Sequence, residues 1–228
     1  MAAEGADLLD IGGESTRPGS LGVSAEEELR RVLPVVHRLA KAVRIPLSID
    51  TAKAEVAAQC LQAGASIVND VTALRGDAQM ARLVAKNKAA IVLMHMRGTP
   101  RTMQHHPRYH DVVSEVATFL ARMAQRAEGM GIARSRILID PGLGFGKTTT
   151  HNLALLRALG QFASLGWPVV VGPSRKSFIG NVLNVDVQGR LAGTLACVAY
   201  AQQRGVHIVR VHDVGPVVQL LQMLHAIE

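Results

Sequence analysis

Short apolar runs alternate with longer amphipathic stretches along most of this chain. The runs fall at residues 8–11, 46–50, 66–70, 90–95, 136–140, 168–172 and 208–211, and each is rich in Val, Ile or Leu with little internal alternation. Continuous apolar runs of that length suit strands buried on both faces, the condition of a parallel sheet. Between them the apolar positions recur with helical spacing, predicting helices over residues 25–41, 53–63, 78–86, 112–130, 152–159, 191–204 and 216–227. The first of these opens on Ser24-Ala25-Glu26-Glu27, the Ser-x-x-Glu form of a capping box.

One local pattern recurs. Residues 2–10, 61–69 and 203–210 each read as a helix end, a glycine stop (Gly5, Gly64, Gly205), a short turn and then a strand. Strict alternation of strand and helix predicts parallel strands joined by right-handed crossovers, an α/β fold of the TIM (β/α)8 barrel type. Seven strands are predicted where such a barrel has eight. Because residues 1–5 read as the tail of a helix, the expectation is a single barrel domain over residues 1–228, incomplete at its amino end, with the first strand lying before Met1. An open doubly wound sheet is the alternative on pattern alone.

Composition narrows the function classes. With 48% hydrophobic and 19% charged residues the chain is globular rather than disordered. No stretch approaches the ~20 apolar residues of a membrane span, and the opening Met-Ala-Ala-Glu-Gly is not a signal peptide, so a cytoplasmic location is expected. Cys60 and Cys197 sit in apolar helical stretches without metal-binding spacing and read as buried structural thiols. A net charge of +7 could suit nucleic acid, but the chain has only four Phe, two Tyr and one Trp for base stacking, and its basic residues are scattered. Small anionic substrates explain the charge better.

The polar chemistry collects at one end of the predicted strands. Asp10 with Glu14, Asp50, Asn69 with Asp70, His95, Asp140, Ser174-Arg175-Lys176-Ser177 and Arg210-Val211-His212-Asp213 all fall at or just beyond the carboxyl ends of the runs. In a barrel those ends surround one mouth, where active sites of this architecture lie. Any one of these residues could merely cap the following helix; all of them together are poorly explained that way. Gly146-Lys147-Thr148 matches the end of a P-loop, yet position 141 is Pro141 where that motif needs glycine, and the Gly-x-Gly-x-x-Gly pattern fails at Lys147. The glycines of the segment Asp140 to Lys147 more plainly let backbone approach a flat ligand. Residues 174–177 bring two cations and two hydroxyls to a strand end, and Arg210 and His212 share a face by alternation, both arrangements suited to an anion. Arg101, His105, His106 and Arg108 read as a solvated basic loop.

These segments carry a family resemblance. Asp10-Ile11-Gly12-Gly13-Glu14-Ser15-Thr16-Arg17-Pro18-Gly19, Ser48-Ile49-Asp50-Thr51, Asn69-Asp70, Leu93-Met94-His95-Met96, Asp140-Pro141-Gly142-Leu143-Gly144-Phe145-Gly146-Lys147, Ser174-Arg175-Lys176-Ser177-Phe178 and Arg210-Val211-His212-Asp213 resemble the dihydropteroate synthases in order and spacing across essentially the whole chain. The resemblance implies a transferase of folate biosynthesis, of the sulfonamide target class. It would condense 4-aminobenzoate with a dihydropterin methyl diphosphate to give 7,8-dihydropteroate. It implies that Asp50, Asn69, Asp140 and Lys176 read the pterin edge, with Met94 and Phe145 lining its surroundings. Arg210 would stack on the ring and, with His212 and Arg17, hold the diphosphate. Thr16, Arg17, Pro18 and Ser177 would form the aminobenzoate side. Asp50, Asp140, Lys176 and Arg210 are the expected catalytic residues. The resemblance also implies magnesium bound with the diphosphate, and a homodimer.

The departure from the family pattern is at the amino end, where an Asn-Val-Thr-Pro-Asp-Ser-Phe-Ser stretch, whose Asn binds the magnesium diphosphate, has no counterpart in this chain. No metal ligand is therefore expected among these residues. The alternatives are a pterin-binding barrel of the methyltransferase type, or an inactive truncated barrel that only associates with intact subunits. The Ser15 to Gly19 and Ser174 to Ser177 segments favour the synthase.

Overall fold

The computed structural model describes residues 1–17 and 19–227. Pro18, one of the residues assigned to the aminobenzoate side, lies outside the described residues. Seven strands run parallel in chain order: β1 (Leu9–Gly12), β2 (Leu47–Asp50), β3 (Ile67–Asp70), β4 (Ala90–Met94), β5 (Ile137–Asp140), β6 (Val170–Val171) and β7 (Ile208–Val209). Strands β1 to β5 form one continuous ladder and β6 pairs with β7, the two joined by a bridge between Ile139 and Val169. The helices α1 (Ala25–Ala42), α2 (Ala54–Gln62), α3 (Met80–Asn87), α4 (Val112–Gly129), α5 (Thr149–Arg157), α6 (Leu159–Ala163), α7 (Ser177–Leu183) and α8 (Leu191–Gln202) fill the crossovers, and α9 (Val214–Ile227) follows the last strand. This is the α/β arrangement of barrel type that the alternation predicted.

All seven predicted strands are present, within two residues at each end, and the glycine stops behave as read. Gly5, Gly64 and Gly205 have φ of 96°, 118° and 74°, a conformation that costs residues with a side chain more than glycine. Ser24 accepts a hydrogen bond from the Glu27 amide, but the reciprocal half of the predicted box is not made, because Glu27 is taken by Arg30 and Arg31. Two differences are larger. The helix predicted over 152–159 is α5 and α6 broken at Ala158, and α7, just after Ser174-Arg175-Lys176, was not predicted: Gly180 and the polar residues around it dilute its apolar periodicity.

The main core lies between the strands and the helices around them, built from residues such as Ile49, Val68, Ile91, Leu93, Leu120, Ile137, Ile139 and Phe162, all at 0% exposure. Cys60 belongs to it and Cys197 packs against it; burial pushes both thiols up to about 11, as suits inert packing residues. A smaller cluster of Val71, Met94, Met96 and Met103, with Phe145 against it, sits at the carboxyl end of β4. The core thus fixes the strands, and their carboxyl ends are left to carry the polar residues.

Candidate active site

Register brings the polar strand ends together. Asp50 lies beside Asn69 across β2 and β3, and Met94 beside Asp140 across β4 and β5. Arg210, just past β7, closes the group. Its Nε donates to Asp10 Oδ2 at 2.6 Å and its terminal nitrogen to Asp50 Oδ2 at 3.2 Å, while Asn69 donates to the same Asp10 oxygen at 3.1 Å. Arg210 thus reaches a carboxylate 200 positions away in the chain and shares it with Asn69. The guanidinium keeps 46% of its side chain exposed, so a face remains open to the mouth.

Burial pushes the Asp50 carboxyl up to about 7, the neighbouring Asp10 pushes the same way, and Arg210 opposes them. Asp140 is also raised by burial, against the pull of Lys176 and of the Gly142 amide, which donates to its Oδ1 at 2.6 Å. Burial lowers Lys176 to about 8 despite Asp140. Its ammonium lies 4.6 Å from the centre of the Phe145 ring and donates to the Leu143 carbonyl. Glycine is required in this loop: at Gly142, φ is 68° and a β-carbon would stand 2.0 Å from the His95 carbonyl oxygen. The loop therefore passes close against the main chain just beyond β4.

Two groups of predicted site residues are thus assembled: Asp50, Asn69 and Arg210 on one side of the mouth, and Asp140, Lys176, Phe145 and Met94 on the other. His212 is exposed and bonds Ser174 Oγ through Nδ1 at 2.8 Å; burial, then Arg210 and more weakly Arg17, lower its affinity for a proton. Arg17 is exposed, Thr16 half-buried and Ser177 exposed at the start of α7.

Several readings are corrected. Arg175 is not available to an anion, because it grips Asp213 with two contacts of 2.8 Å and reaches the Val187 carbonyl. Asp70 does not join Asn69 in the mouth: one residue further along the strand it faces the other way and caps the turn at Thr72 and Leu74. Strand β7 ends at Val209, so Arg210 and His212 follow it rather than alternate along it. Sequence reasoning noted Asp10 at a strand end but assigned it no role, and it proves central; its only sequence signal was its position. Arg101, His105, His106 and Arg108 are exposed, as a solvated loop should be.

Residues 1–212 match the pterin binding enzyme family. The chain is 44% identical over 226 residues to the dihydropteroate synthase of Escherichia coli (strain K12), covering 99% of this chain and 80% of that protein. Among solved structures, the Xanthomonas albilineans dihydropteroate synthase with 4-aminobenzoic acid superposes with a TM-score of 0.94 at 48% identity, covering 99% of this chain and 81% of that one. The enzyme from the same organism in complex with 7,8-dihydropteroate gives 0.90 at 45% identity, covering 99% and 80%.

Proposed function

The chain belongs to the pterin-binding enzymes and, within them, to the dihydropteroate synthases, and from that membership we propose how its residues join 4-aminobenzoate to a dihydropterin methyl diphosphate. The observation that carries the reading is the convergence of Asp10, Asp50, Asn69 and Arg210 with Asp140 and Lys176 at one end of the sheet. A pterin edge alternates donors and acceptors, and two carboxylates, an amide and an ammonium can match it. Asp50, Asn69, Asp140 and Lys176 take that task, Met94 and Phe145 line the ring, and the open face of Arg210 stacks on it. Asp10 sets the angle of Arg210 and Asn69. His212 and Arg17 hold the diphosphate, and Thr16, Arg17 and Ser177 border the aminobenzoate.

The reaction breaks the methylene carbon–oxygen bond, whose electron pair leaves with diphosphate. The aminobenzoate nitrogen forms the new carbon–nitrogen bond and gives up a proton. Positive charge growing on the pterin is stabilised by the carboxylates of Asp50 and Asp140, whose negative charge burial makes costly before substrate arrives. Arg210 and Arg17 offset the negative charge of the leaving group. Magnesium would enter as a companion of the diphosphate; among the described residues no group of three or more His, Cys, Asp or Glu stands together that could hold a metal.

A homodimer and a cytoplasmic location belong to the same reading. Helix α8 is apolar on all sides yet buries only Thr194, Val198 and Ala201, and Val182, Leu183 and Val187 beside it are exposed, which supports a second copy of the chain on this face. Among the described residues no helix is long and apolar enough to cross a membrane.

The test is dihydropteroate formation from the two substrates, with pterin affinity measured by calorimetry. Asp140→Ala is expected to weaken pterin binding by about 1–3 kcal/mol, the cost of unpaired polar groups, and Cys60→Ala to leave it unchanged. Equal pterin affinity for Asp140→Ala and the parent, or methyl transfer from a methylated folate in place of condensation, would overturn the reading.

A further inference from the structure

Lys147 carries the one basic side chain of the glycine loop, and it does not face the mouth. It is 3% exposed, folded beneath the loop with its ammonium on three acceptors: the Phe145 carbonyl at 2.9 Å, the His95 carbonyl at 3.2 Å and His95 Nδ1 at 3.0 Å. An ammonium has three protons, and all three are used. Where Nδ1 accepts from the ammonium, the proton of a neutral His95 sits on Nε2. Burial and the adjacent Lys147 charge hold it so, pushing the imidazole down to about 2.

From this geometry we infer that Lys147 is a positioning residue for the pterin: it pins Phe145 and the Asp140 to Gly146 loop onto His95, so that the loop meets substrate already in place. This rests on the function proposed above. The His95 main chain is the anchor from two directions, because its amide donates to the Asp140 carbonyl at 2.9 Å while its carbonyl takes Lys147. On the upper side of the same loop, Lys176 donates to the Leu143 carbonyl and sits over the Phe145 ring. The loop is therefore held between two lysines, one below through carbonyl 145 and one above through carbonyl 143. Removing the lower one frees Phe145, and with it the ring that orients Lys176 toward Asp140. Thr16 and Arg17 lie on a different segment, and Ser177, although next to Lys176, is held by the first turn of α7, so the aminobenzoate side should be affected far less.

Stability alone gives little reason for an ammonium here. Burial lowers Lys147 to about 7, so holding an ammonium beneath the loop carries a desolvation cost that three neutral acceptors offset only in part.

The experiment compares this chain with Lys147→Met and Lys147→Gln. Pterin diphosphate affinity is measured by titration without aminobenzoate, the KM of each substrate by turnover, and folding by the urea midpoint. Lys147→Met should weaken pterin binding about tenfold or more while the KM for 4-aminobenzoate stays within about twofold, and Lys147→Gln, which keeps two donors, should recover part of the loss. Unchanged pterin affinity in Lys147→Met overturns the inference. So does a parallel loss for both substrates that tracks the urea midpoint, which would assign Lys147 to the fold alone. A parent chain that binds no pterin diphosphate overturns the function itself, and is distinguished from the other outcomes because no variant is needed to see it.

Discussion

Asp50 shows how single buried carboxylates at the mouth work against folding. Its proton is held more tightly in the folded protein, at about 7, than the ordinary value of 3.8. The sign follows: the folded state carries the extra proton between those values, so the associated stability is full below the ordinary value and is lost as pH climbs through about 7. Asp50→Asn removes that loss. The variant should match the parent near pH 4 and exceed it by ~2–4 kcal/mol above pH 8, with urea midpoints as the measure, while pterin binding falls. Lys147 and Lys176, whose lowered values act in the opposite sense, are common to both proteins and cancel in the comparison. A midpoint for Asp50→Asn below that of the parent at high pH would show that the Arg210 contact outweighs burial. At this scale the residue types at the strand ends were legible in the sequence. Which of two neighbours faces the mouth was not, as Asn69 and Asp70 show: a single step along a strand reverses the face.

At the scale of elements, the join between β1, α1 and α2 depends on one lysine. Lys53, at the start of α2, bonds Glu28 of α1 at 2.5 Å and also Glu14 beyond β1. Glu28 is 0% exposed and its second oxygen has no hydrogen-bond partner, so Lys53 is its main counter-charge. Lys53→Met should destabilise the chain by ~3 kcal/mol, because removing one member of a buried pair leaves the other uncompensated. Adding Glu28→Gln should restore part of that. A single variant as stable to urea as the parent would mean that Glu14 and Glu28 find other partners. Nothing in the sequence spacing linked Glu14, Glu28 and Lys53. The helices themselves were legible because periodicity is local, and the capping exchange at Glu27 was not, because Arg30 and Arg31 compete for its carboxylate only once the helix has formed.

The whole molecule exposes 11691 Å², above the roughly 10,000 Å² expected of a folded monomer of 24.3 kDa. Exposed large apolar side chains gather on α7 to α9, at Val182, Leu183, Val187, Met223 and Ile227. If this face holds a second copy, Val182→Glu should place a charge in an apolar contact and weaken the dimer by at least about tenfold, read by sedimentation across a dilution series. A parent chain that sediments as a monomer at every concentration would remove the homodimer from the proposal.

The sequence by itself determined the number, direction and order of the strands, since continuous apolar runs, glycine stops and helical periodicity are properties of neighbouring residues. It also marked the residue types of the site, and through their order the family. Only the tertiary structure decided how they are used. Arg210 reaches back to Asp10 and Asp50, Arg175 is consumed by Asp213, and Lys147, resembling a phosphate-binding lysine in sequence, turns under its own loop to His95. Each outcome depends on which distant partner lies within about 3 Å, and that distance is set by sheet register and crossover packing, which no local pattern contains.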